Sequence, residues 1–577
     1  MPDAERRRKI HRGGESATIA RVATRSEWRI EKTEAVSAGG MITAEHPRAA
    51  EAGARILAAG GNAVDAAVAA AFVMGVVEPY TSGIGGVAWC VLRQPDGSIT
   101  TIEGTGAAPF AATPDMYELL PSGGAGMYGW PATAGDAQNV GYRSVGAMGA
   151  VGCLCYALER YGTLDRNAVL RDAIGLAADG IDVEWPLQLA LGAYHDRLAP
   201  HEASRAIFLK PNGAPPRAAT GFDPADRLVQ RDLAESLRAL ARDGADALFR
   251  GELGRAIVDD VRSRGGLLSM DDLASVPPRE RAPLRSEYRG LALLTLPEAS
   301  GAVTVVEALN ILEGYALGGH APLGAPALHL IAEAERRAFA DRFAYLGDPE
   351  GVGTAVYEWL GSKEHAARAR ASIDPERASP GAGATAVPPS SDCTTHVNVI
   401  DRERRMVSLT TTLGGGFGSG VVARGTGIVL ANVMTWFDPR PGHVNSIAGG
   451  RRILSAIAPL LVLRGDEPFL CAGAPGGRKI MSAMVHIATN VADWGMGPQA
   501  AVNTPRVHCE STDTLVDVRV PAATRAALVA MGHRLAVHED TFASTHFARP
   551  SAILVQDGEL RAGVGAMKIS AAIGVDA

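Results

Sequence analysis

The sequence predicts an α+β protein in which helices dominate the middle of the chain and strands follow them. Segments before residue 372 repeat apolar side chains at helical spacing, whereas the chain after Thr394 alternates apolar and polar side chains. The 577 residues are 47% hydrophobic and 21% charged, which is typical of a large globular protein. The 67 glycines favour tight turns and close backbone approaches rather than disorder.

The first predicted elements are two helices and a strand. Residues 46–57 show a helical pattern that ends at two glycines. A second, almost wholly apolar helix begins at Asn62, a favourable N-cap residue. A glycine-rich loop then leads to a strand at residues 87–93. The core is expected to begin at Gly40, so residues 1–39 are interpreted as a polar arm without a function of its own.

Helical spacing recurs through the middle of the chain. The predicted helices cover residues 153–161, 165–179, 232–243 and 328–346. Residues 371–392 are rich in Pro, Gly, Ala and Ser, and they are expected to form a mobile linker. Such a linker would allow a new chain end formed next to it to move.

A hairpin and further strands are predicted after the linker. Val397 and Val399 alternate with polar residues, residues 401–405 make a charged turn, and residues 407–412 return as the second strand. The glycine-rich run 414–420 precedes neither a helix nor a P-loop lysine, so it is not interpreted as a nucleotide loop. Later strands are expected at 427–430, 460–463 and 469–472, and later helices at 480–494 and 522–531.

Charge and cysteine content argue against several classes of partner. A net charge of −7 gives no electrostatic basis for binding nucleic acid or an anionic membrane. The six cysteines lack zinc-site spacing and are interpreted as buried thiols, and no HExxH motif occurs, so neither a metal nor a cofactor is expected. Without an apolar signal segment or a run of about 18 apolar residues, a cytoplasmic location is expected.

The most specific motif opens the predicted hairpin. Residues 393–396 read Cys-Thr-Thr-His, and residues 410–412 at the end of the return strand are three threonines. An Ala-Pro-Gly-Gly segment follows at 474–477, and residues 60–86 read GGNAVDAAVAAAFVMGVVEPYTSGIGG. Together these segments resemble the γ-glutamyltransferase family of N-terminal-nucleophile (Ntn) hydrolases. The resemblance extends over nearly the whole chain from about residue 40.

The resemblance implies a four-layer αββα sandwich built from two fragments of a self-cleaved precursor. It places the cleavage between Cys393 and Thr394. The large fragment would be residues 40–393, preceded by the arm, and the small fragment residues 394–577. The two fragments would form a heterodimer, with further dimerisation left open. The expected partner is a small-molecule substrate, with no nucleic acid and no membrane.

The implied chemistry depends on an N-terminal threonine. A hydroxyl is a poor nucleophile unless a base takes its proton. The α-amine of an N-terminal residue has a pKa of about 7.7–8.0, which suits a general base near neutrality. Thr394 is therefore expected to cleave the precursor and then act as the nucleophile. The resemblance adds Thr412 as a hydrogen-bond partner and Gly476 and Gly477 as an oxyanion hole, whereas His396 is expected to be structural.

The chain departs from the family pattern where typical members hold the γ-glutamyl head group. Thr105 replaces the arginine that binds the carboxylate, and Gly414 replaces an Asn or Glu. Val433 and Trp436 replace the residues that hold the ammonium group. The paired serines that bind the carboxylate become Ser455-Ala456. A buried zwitterion without partners costs several kcal/mol, so catalysis is expected to be retained and γ-glutamyl specificity lost.

The predicted activity is hydrolysis of an amide or related acyl bond through an acyl-Thr394 intermediate. Val433 and Trp436 indicate an apolar acyl pocket, and Arg478 is a candidate for binding a small carboxylate. Three alternatives stay open. The first is a C–C bond hydrolase that releases an oxalyl-type fragment in alkyl-proline antibiotic biosynthesis. The others are a γ-glutamyl hydrolase or transpeptidase with altered contacts, and a non-catalytic binding relative.

Overall fold

A computed structural model describes residues 30–121, 128–380 and 393–576. Most of the expected linker, residues 381–392, and most of the expected arm, residues 1–29, lie outside the described residues. The chain divides after Glu31 into two units, and the elements below belong to the second, Lys32–Ala577.

Two seven-stranded sheets form the centre of the molecule. In chain order the strands of the described residues are β1 Ala35–Ser37, β2 Gly40–Ala44, β3 Val87–Arg93, β4 Ile99–Gly104, β5 Ile181–Asp182, β6 Arg227–Leu228, β7 Arg279–Arg281, β8 Leu284–Tyr288, β9 Leu291–Thr295, β10 Thr394–Ile400, β11 Met406–Thr412, β12 Val422–Ala423, β13 Ile428–Val429, β14 Leu460–Arg464, β15 Glu467–Gly473, β16 Val507–His508, β17 Asp513–Asp517, β18 Arg534–His538, β19 Ser551–Gln556, β20 Glu559–Val564 and β21 Ala571–Val575. Sheet I has the order β21-β2-β10-β11-β3-β4-β7, and sheet II has the order β1-β20-β19-β15-β14-β9-β8. Every neighbouring pair in both sheets is antiparallel.

Helices connect and cover the sheets. In the described residues they are α1 Pro47–Ala58, α2 Ala63–Val77, α3 Ala150–Tyr161, α4 Arg166–Asp179, α5 Trp185–Ala193, α6 His195–Leu198, α7 Glu202–Phe208, α8 Arg231–Asp243, α9 Asp246–Phe249, α10 Glu252–Ser263, α11 Met270–Ala274, α12 Ala302–Leu312, α13 Ala325–Tyr345, α14 Pro349–Val352, α15 Thr354–Leu360, α16 Lys363–Ala371, α17 Lys479–Ala492, α18 Pro498–Asn503 and α19 Ala522–Ala530.

The sheets pack face to face, with β10 and β11 of sheet I against β15 of sheet II. Helices α1, α2 and α3 cover the outer face of sheet I, and α12, α17 and α18 contact sheet II from the other side. Strands β10 and β11 are buried along their whole length, as expected for strands covered on both faces. The expected four-layer αββα sandwich is therefore confirmed.

Local signals placed several elements correctly. Helix α1 begins at Pro47, and its cap is the His46 side chain, which accepts a hydrogen bond from the Arg48 N–H. Asn62 caps α2 as predicted, within a capping box completed by Asp65. The glycine-rich run after β11 leads to a short strand, β12, and no helix follows it directly.

The expectation that the core begins at Gly40 is wrong for the end of the predicted arm. Ala35–Ser37 forms strand β1, which pairs with β20 at the edge of sheet II. The Lys32 ammonium donates hydrogen bonds to the carbonyls of Lys568 and Ser570. A three-residue strand carries too little periodicity to be recognised, and its partner lies more than 500 residues away along the chain.

Two expectations from composition can be compared with the structure. All six cysteines lie in the described part of the chain, where they are buried and form no disulfide bond. Across the described ranges, no helix combines the length and apolarity that crossing a bilayer requires.

Candidate active site

The hairpin of β10 and β11 brings two threonines together at its open end. The register places Thr394 opposite Thr412, and their hydroxyl oxygens are 3.1 Å apart. Both side chains are buried. The next pair in the register, Thr395 and Thr411, points to the other face because strand side chains alternate. Neither hydroxyl has a hydrogen-bond partner among the described residues.

The Thr412 hydroxyl links the candidate nucleophile to the bond expected to break. It donates a hydrogen bond to the Cys393 carbonyl at 2.5 Å and accepts one from the Gly414 N–H at 3.0 Å. The Cys393 thiol in turn donates to the Gly414 carbonyl at 2.7 Å. A donor aimed at this carbonyl would stabilise the negative charge that would develop if the Thr394 hydroxyl attacked it.

Gly476 and Gly477 lie between β15 and α17 in backbone conformations that favour glycine, with φ values of 140° and 59°. A Cβ at Gly476 would lie 2.5 Å from the Ala548 Cα, and the Arg549 N–H donates to the Pro475 carbonyl at 3.0 Å. This loop therefore packs closely against residues 548–549, and a side chain at position 476 would clash with them. The oxyanion role of its N–H groups stays a prediction.

The His396 side chain is packed and hydrogen-bonded between the two sheets. Its ring nitrogens lie 2.8 Å from the Thr410 hydroxyl and 2.8 Å from the Asn398 amide oxygen. A Cβ at Gly473 would come within 2.1 Å of the ring, so the imidazole fills the space above that glycine of β15. Burial lowers the pKa of His396 to about 4, and the ring is neutral at neutral pH.

We expect His396 to make the protein less stable as the pH falls. Its folded pKa of about 4 lies below the ordinary value of 6.5. Between these values the unfolded chain takes up a proton that the folded chain does not, so stability falls from pH 6.5 towards 4, by about 3 kcal/mol in all. Thermal unfolding of an uncleaved Thr394→Ala chain from pH 7 to 4.5 checks this. The fall should be shallower when His396→Gln is added and unchanged when the exposed His320→Gln is added instead.

A cavity of about 400 Å³ lies beside the hairpin. Its aromatic lining residues are Tyr128, Trp130, Phe343 and Trp436; its charged ones are Arg342, Asp438, Arg440, Arg478 and Glu510; and the remainder are Gly129, Leu346, His443, Val444, Asn445, Leu454, Ala456 and Ser511. Three residues predicted to bind substrate, Trp436, Ala456 and Arg478, are among them. In the described part of the chain, no group of three potential metal ligands lies within this lining.

Trp436 connects the cavity to the hairpin. A Cβ at Gly414 would lie 2.9 Å from the indole ring and 2.4 Å from the Asn432 amide oxygen, and Gly414 has a φ of 91°. The missing side chain at Gly414 therefore makes room for the Trp436 ring, which packs against Tyr128 with ring centroids 6.4 Å apart. The chain departs from the family pattern at both positions, and the tryptophan at 436 fits only because the residue at 414 is glycine.

The other predicted binding residues lie outside the cavity lining. Val433 is fully buried, and a Cβ at Gly146 would lie 2.8 Å from its side chain. The Thr105 hydroxyl makes a local hydrogen bond of 3.4 Å to the Gly106 carbonyl. Ser455 is buried, and its hydroxyl has no hydrogen-bond partner within the described ranges.

Arg478 lines the cavity, but its charge is already compensated. Its guanidinium makes two hydrogen bonds to the Glu510 carboxylate, at 2.6 and 3.1 Å. Burial alone would raise the pKa of Glu510, yet the adjacent Arg478 holds that pKa well below its usual range. A substrate carboxylate would have to compete with Glu510 for this arginine.

Arg342 is a cavity cation that sequence reasoning missed. It lies on α13 and donates hydrogen bonds to the carbonyls of Ser300 and Ser455, at 2.8 and 2.7 Å. Burial lowers its pKa to about 10, so it remains charged at neutral pH. Within the described residues no carboxylate lies within ion-pair distance of it. The sequence showed only an arginine inside a helical pattern, without any sign that it faces a cavity.

Comparison with known proteins identifies the family. A family model described as gamma-glutamyltranspeptidase matches residues 49–575. The chain is 38% identical over 519 residues to the Acylase ACY 1 proenzyme of Pseudomonas sp. (strain SE83), covering 90% of each protein. It is 33% identical over 538 residues to the glutathione hydrolase proenzyme of Escherichia coli (strain K12), covering 90% of this chain and 89% of that protein.

A solved structure has a fold similar to that of this chain. The cephalosporin acylase from Bacillus halodurans matches with a TM-score of 0.84 and 27% identity, over 97% of this chain and all of that one. Since the family model, the relatives and this structure agree over most of the chain, the protein belongs to the gamma-glutamyltranspeptidase family and is an Ntn-type hydrolase of that family.

Proposed function

We propose that the protein is a self-processing acylase that hydrolyses an amide bond through an acyl-Thr394 intermediate and has lost γ-glutamyl specificity. The observation that carries the proposal is the shared hydroxyl of Thr412. It contacts the Thr394 hydroxyl and donates to the Cys393 carbonyl, so one group serves both the nucleophile and the bond to be broken.

Maturation would proceed in two balanced steps. The Thr394 Oγ attacks the Cys393 carbonyl carbon, and the hydroxyl proton passes to the departing amide nitrogen, which becomes the α-amine of Thr394. The resulting ester between Cys393 and the Thr394 oxygen is then hydrolysed by water. The products are a carboxylate at Cys393 and a free hydroxyl on an N-terminal Thr394. The two fragments stay together because β10, which begins at Thr394, lies between β2 and β11 within sheet I.

Substrate turnover would use the same hydroxyl with a new base. The α-amine of Thr394 accepts the hydroxyl proton as Oγ attacks the substrate carbonyl. The N–H groups of Gly476 and Gly477 stabilise the oxyanion, and the protonated amine then passes its proton to the leaving nitrogen. Water attacks the acyl-Thr394 ester in the second half of the reaction and releases the acid.

The cavity indicates which acyl groups fit. Its aromatic wall suits a flat or aliphatic body. Two of its arginines are paired with carboxylates, Arg478 with Glu510 and Arg440 with Asp438. Among the described residues, Arg342 has no carboxylate partner. A carboxylate on the substrate would therefore find a partner in the cavity. An ammonium group would not, since both cavity carboxylates are engaged.

Three p-nitroanilides of nearly equal length test this specificity. Glutaryl p-nitroanilide carries a distal carboxylate, γ-glutamyl p-nitroanilide adds an ammonium group to it, and pentanoyl p-nitroanilide has a methyl group in its place. We expect kcat/KM for the glutaryl compound to exceed that for the γ-glutamyl compound at least about tenfold, because an unpaired buried ammonium costs more than about 1.4 kcal/mol. The glutaryl compound should also be preferred over the pentanoyl one.

The outcomes separate the proposal from its rivals. The Thr394→Ala chain serves as the blank for spontaneous hydrolysis. Faster release from the γ-glutamyl compound would favour a γ-glutamyl enzyme with altered contacts and overturn the loss of specificity. A fully cleaved protein that hydrolyses none of the three, nor a cephalosporin amide or an N-oxalyl amide, would contradict the acylase proposal and favour the C–C bond hydrolase or a binding protein.

A further inference from the structure

Three helices bring a second group of reactive side chains together, away from the cavity. Glu307 lies on α12, Asp341 on α13 and His365 on α16. The His365 Nε2 atom is 2.8 Å from Asp341 Oδ2 and 3.3 Å from Glu307 Oε1. One ligand atom from each residue lies within 4.8 Å of the others, and the side chains are 1%, 23% and 9% exposed in chain order.

The group has more acceptors than donors. The Nε2–H of a histidine donates to only one of the two carboxylates at a time. The other oxygen of Glu307, Oε2, is buried and has no hydrogen-bond partner in the part of the chain that the structure describes. Within the described residues neither Glu307 nor Asp341 forms an ion pair with a lysine or arginine. A buried carboxyl oxygen without a partner is costly, and a cation among the three side chains would satisfy it.

A second group in the same half of the molecule provides an internal contrast. His329, Glu333 and His533 also lie within ligand distance of one another. Here Glu333 is already paired, with Arg336 at 3.2 Å and Arg337 at 2.8 Å. The two histidines hydrogen-bond each other at 2.8 Å. The two arginines already supply the positive charge, so this group has no need of a metal ion.

We propose that Glu307, Asp341 and His365 bind one divalent cation of the zinc class. One imidazole nitrogen with two carboxylates is a donor set that Zn²⁺ accepts, with water completing the coordination. Among the described residues, α16 is the last helix before the predicted cleavage point. The cation would link this helix to α12 and α13. The site is independent of the proposed acylase chemistry.

Zinc titration of tag-free, EDTA-treated full-length protein tests the site. We expect calorimetry to show one saturable equivalent of Zn²⁺ per chain and unfolding temperature to rise with the zinc concentration. His365→Gln should weaken binding at least about tenfold. His533→Gln, in the arginine-neutralised group, should leave it unchanged. Equal affinity in wild type and His365→Gln, or no saturable binding, would overturn the proposal.

Fluorescence gives a readout that does not depend on stability. The Trp359 ring lies against His365, with centroids 4.2 Å apart, so a cation on that imidazole should change its emission. The zinc-dependent change should be present in wild type and absent in Trp359→Phe and in His365→Gln. If the change persists in Trp359→Phe and binding is unaffected in His533→Gln and His365→Gln alike, the zinc binds elsewhere and the assignment is wrong.

Discussion

Replacing Thr394 by alanine is expected to leave the protein as one 60.0 kDa chain without activity. The wild type should instead give fragments of about 41 and about 19 kDa, in proportion to 393 and 184 of the 577 residues. The physical reason is that alanine has no side-chain oxygen with which to attack the Cys393 carbonyl. Uncatalysed hydrolysis of a peptide bond is too slow to cleave the chain during expression and purification. Intact mass spectrometry and a denaturing gel measure the outcome.

The neighbouring threonine is the matched control. Thr395 is also buried on β10, but it points to the opposite face and its hydroxyl has no partner. Thr395→Ala should therefore cleave and turn over like the wild type. Thr394→Ser, which keeps a hydroxyl, should still cleave. A Thr394→Ala chain that is cut at the same bond would remove Thr394 from the processing chemistry.

The second large effect is expected at Thr412. Valine keeps the branched shape of threonine but removes the hydroxyl that donates to the Cys393 carbonyl and contacts the Thr394 hydroxyl. Loss of one such donor costs about 10²–10³-fold in related reactions, so Thr412→Val should slow self-cleavage by about that factor. Following the cleaved fraction with time after synthesis or refolding gives the rate.

Thr411→Val is the control for this substitution. It makes the same chemical change one residue earlier on β11, where the threonine hydroxyl is buried without a partner. Cleavage should be unchanged, and the folded state should be no less stable, because removing an unsatisfied buried hydroxyl is not costly. Equal slowing by Thr411→Val and Thr412→Val would mean that the hairpin's packing, rather than the hydrogen bond, controls the rate.

Sequence reasoning predicted the hairpin well because its signals are local. The alternation of Val397 and Val399, the charged turn and the run of threonines lie within twenty residues of one another. The pairing of Thr394 with Thr412 follows once the turn length is known, since register in a hairpin is set by its turn. Capping at Asn62 and the helix that follows it were predicted for the same reason.

The cavity lined by Trp436 and Arg478 could be predicted only in part. Trp436, Ala456 and Arg478 were recognised as departures from or additions to a family pattern, and they do line it. The sequence could not show that Glu510 neutralises Arg478, which leaves Arg342 as the arginine able to pair with a substrate carboxylate. Nor could it show that Val433 packs away from the cavity. Charge compensation depends on which side chains meet, and these residues come from separate segments of the chain.

By itself, the sequence determined the fold class, the family and the candidate nucleophile, because these depend on contiguous motifs and on the periodicity of single elements. The tertiary structure decided what lies around them. It placed strand β1 in sheet II, seated the Trp436 ring over Gly414, and gathered Glu307, Asp341 and His365 from three helices. Each of these depends on contacts between residues distant in the chain, which only packing of the folded layers brings within a few ångströms.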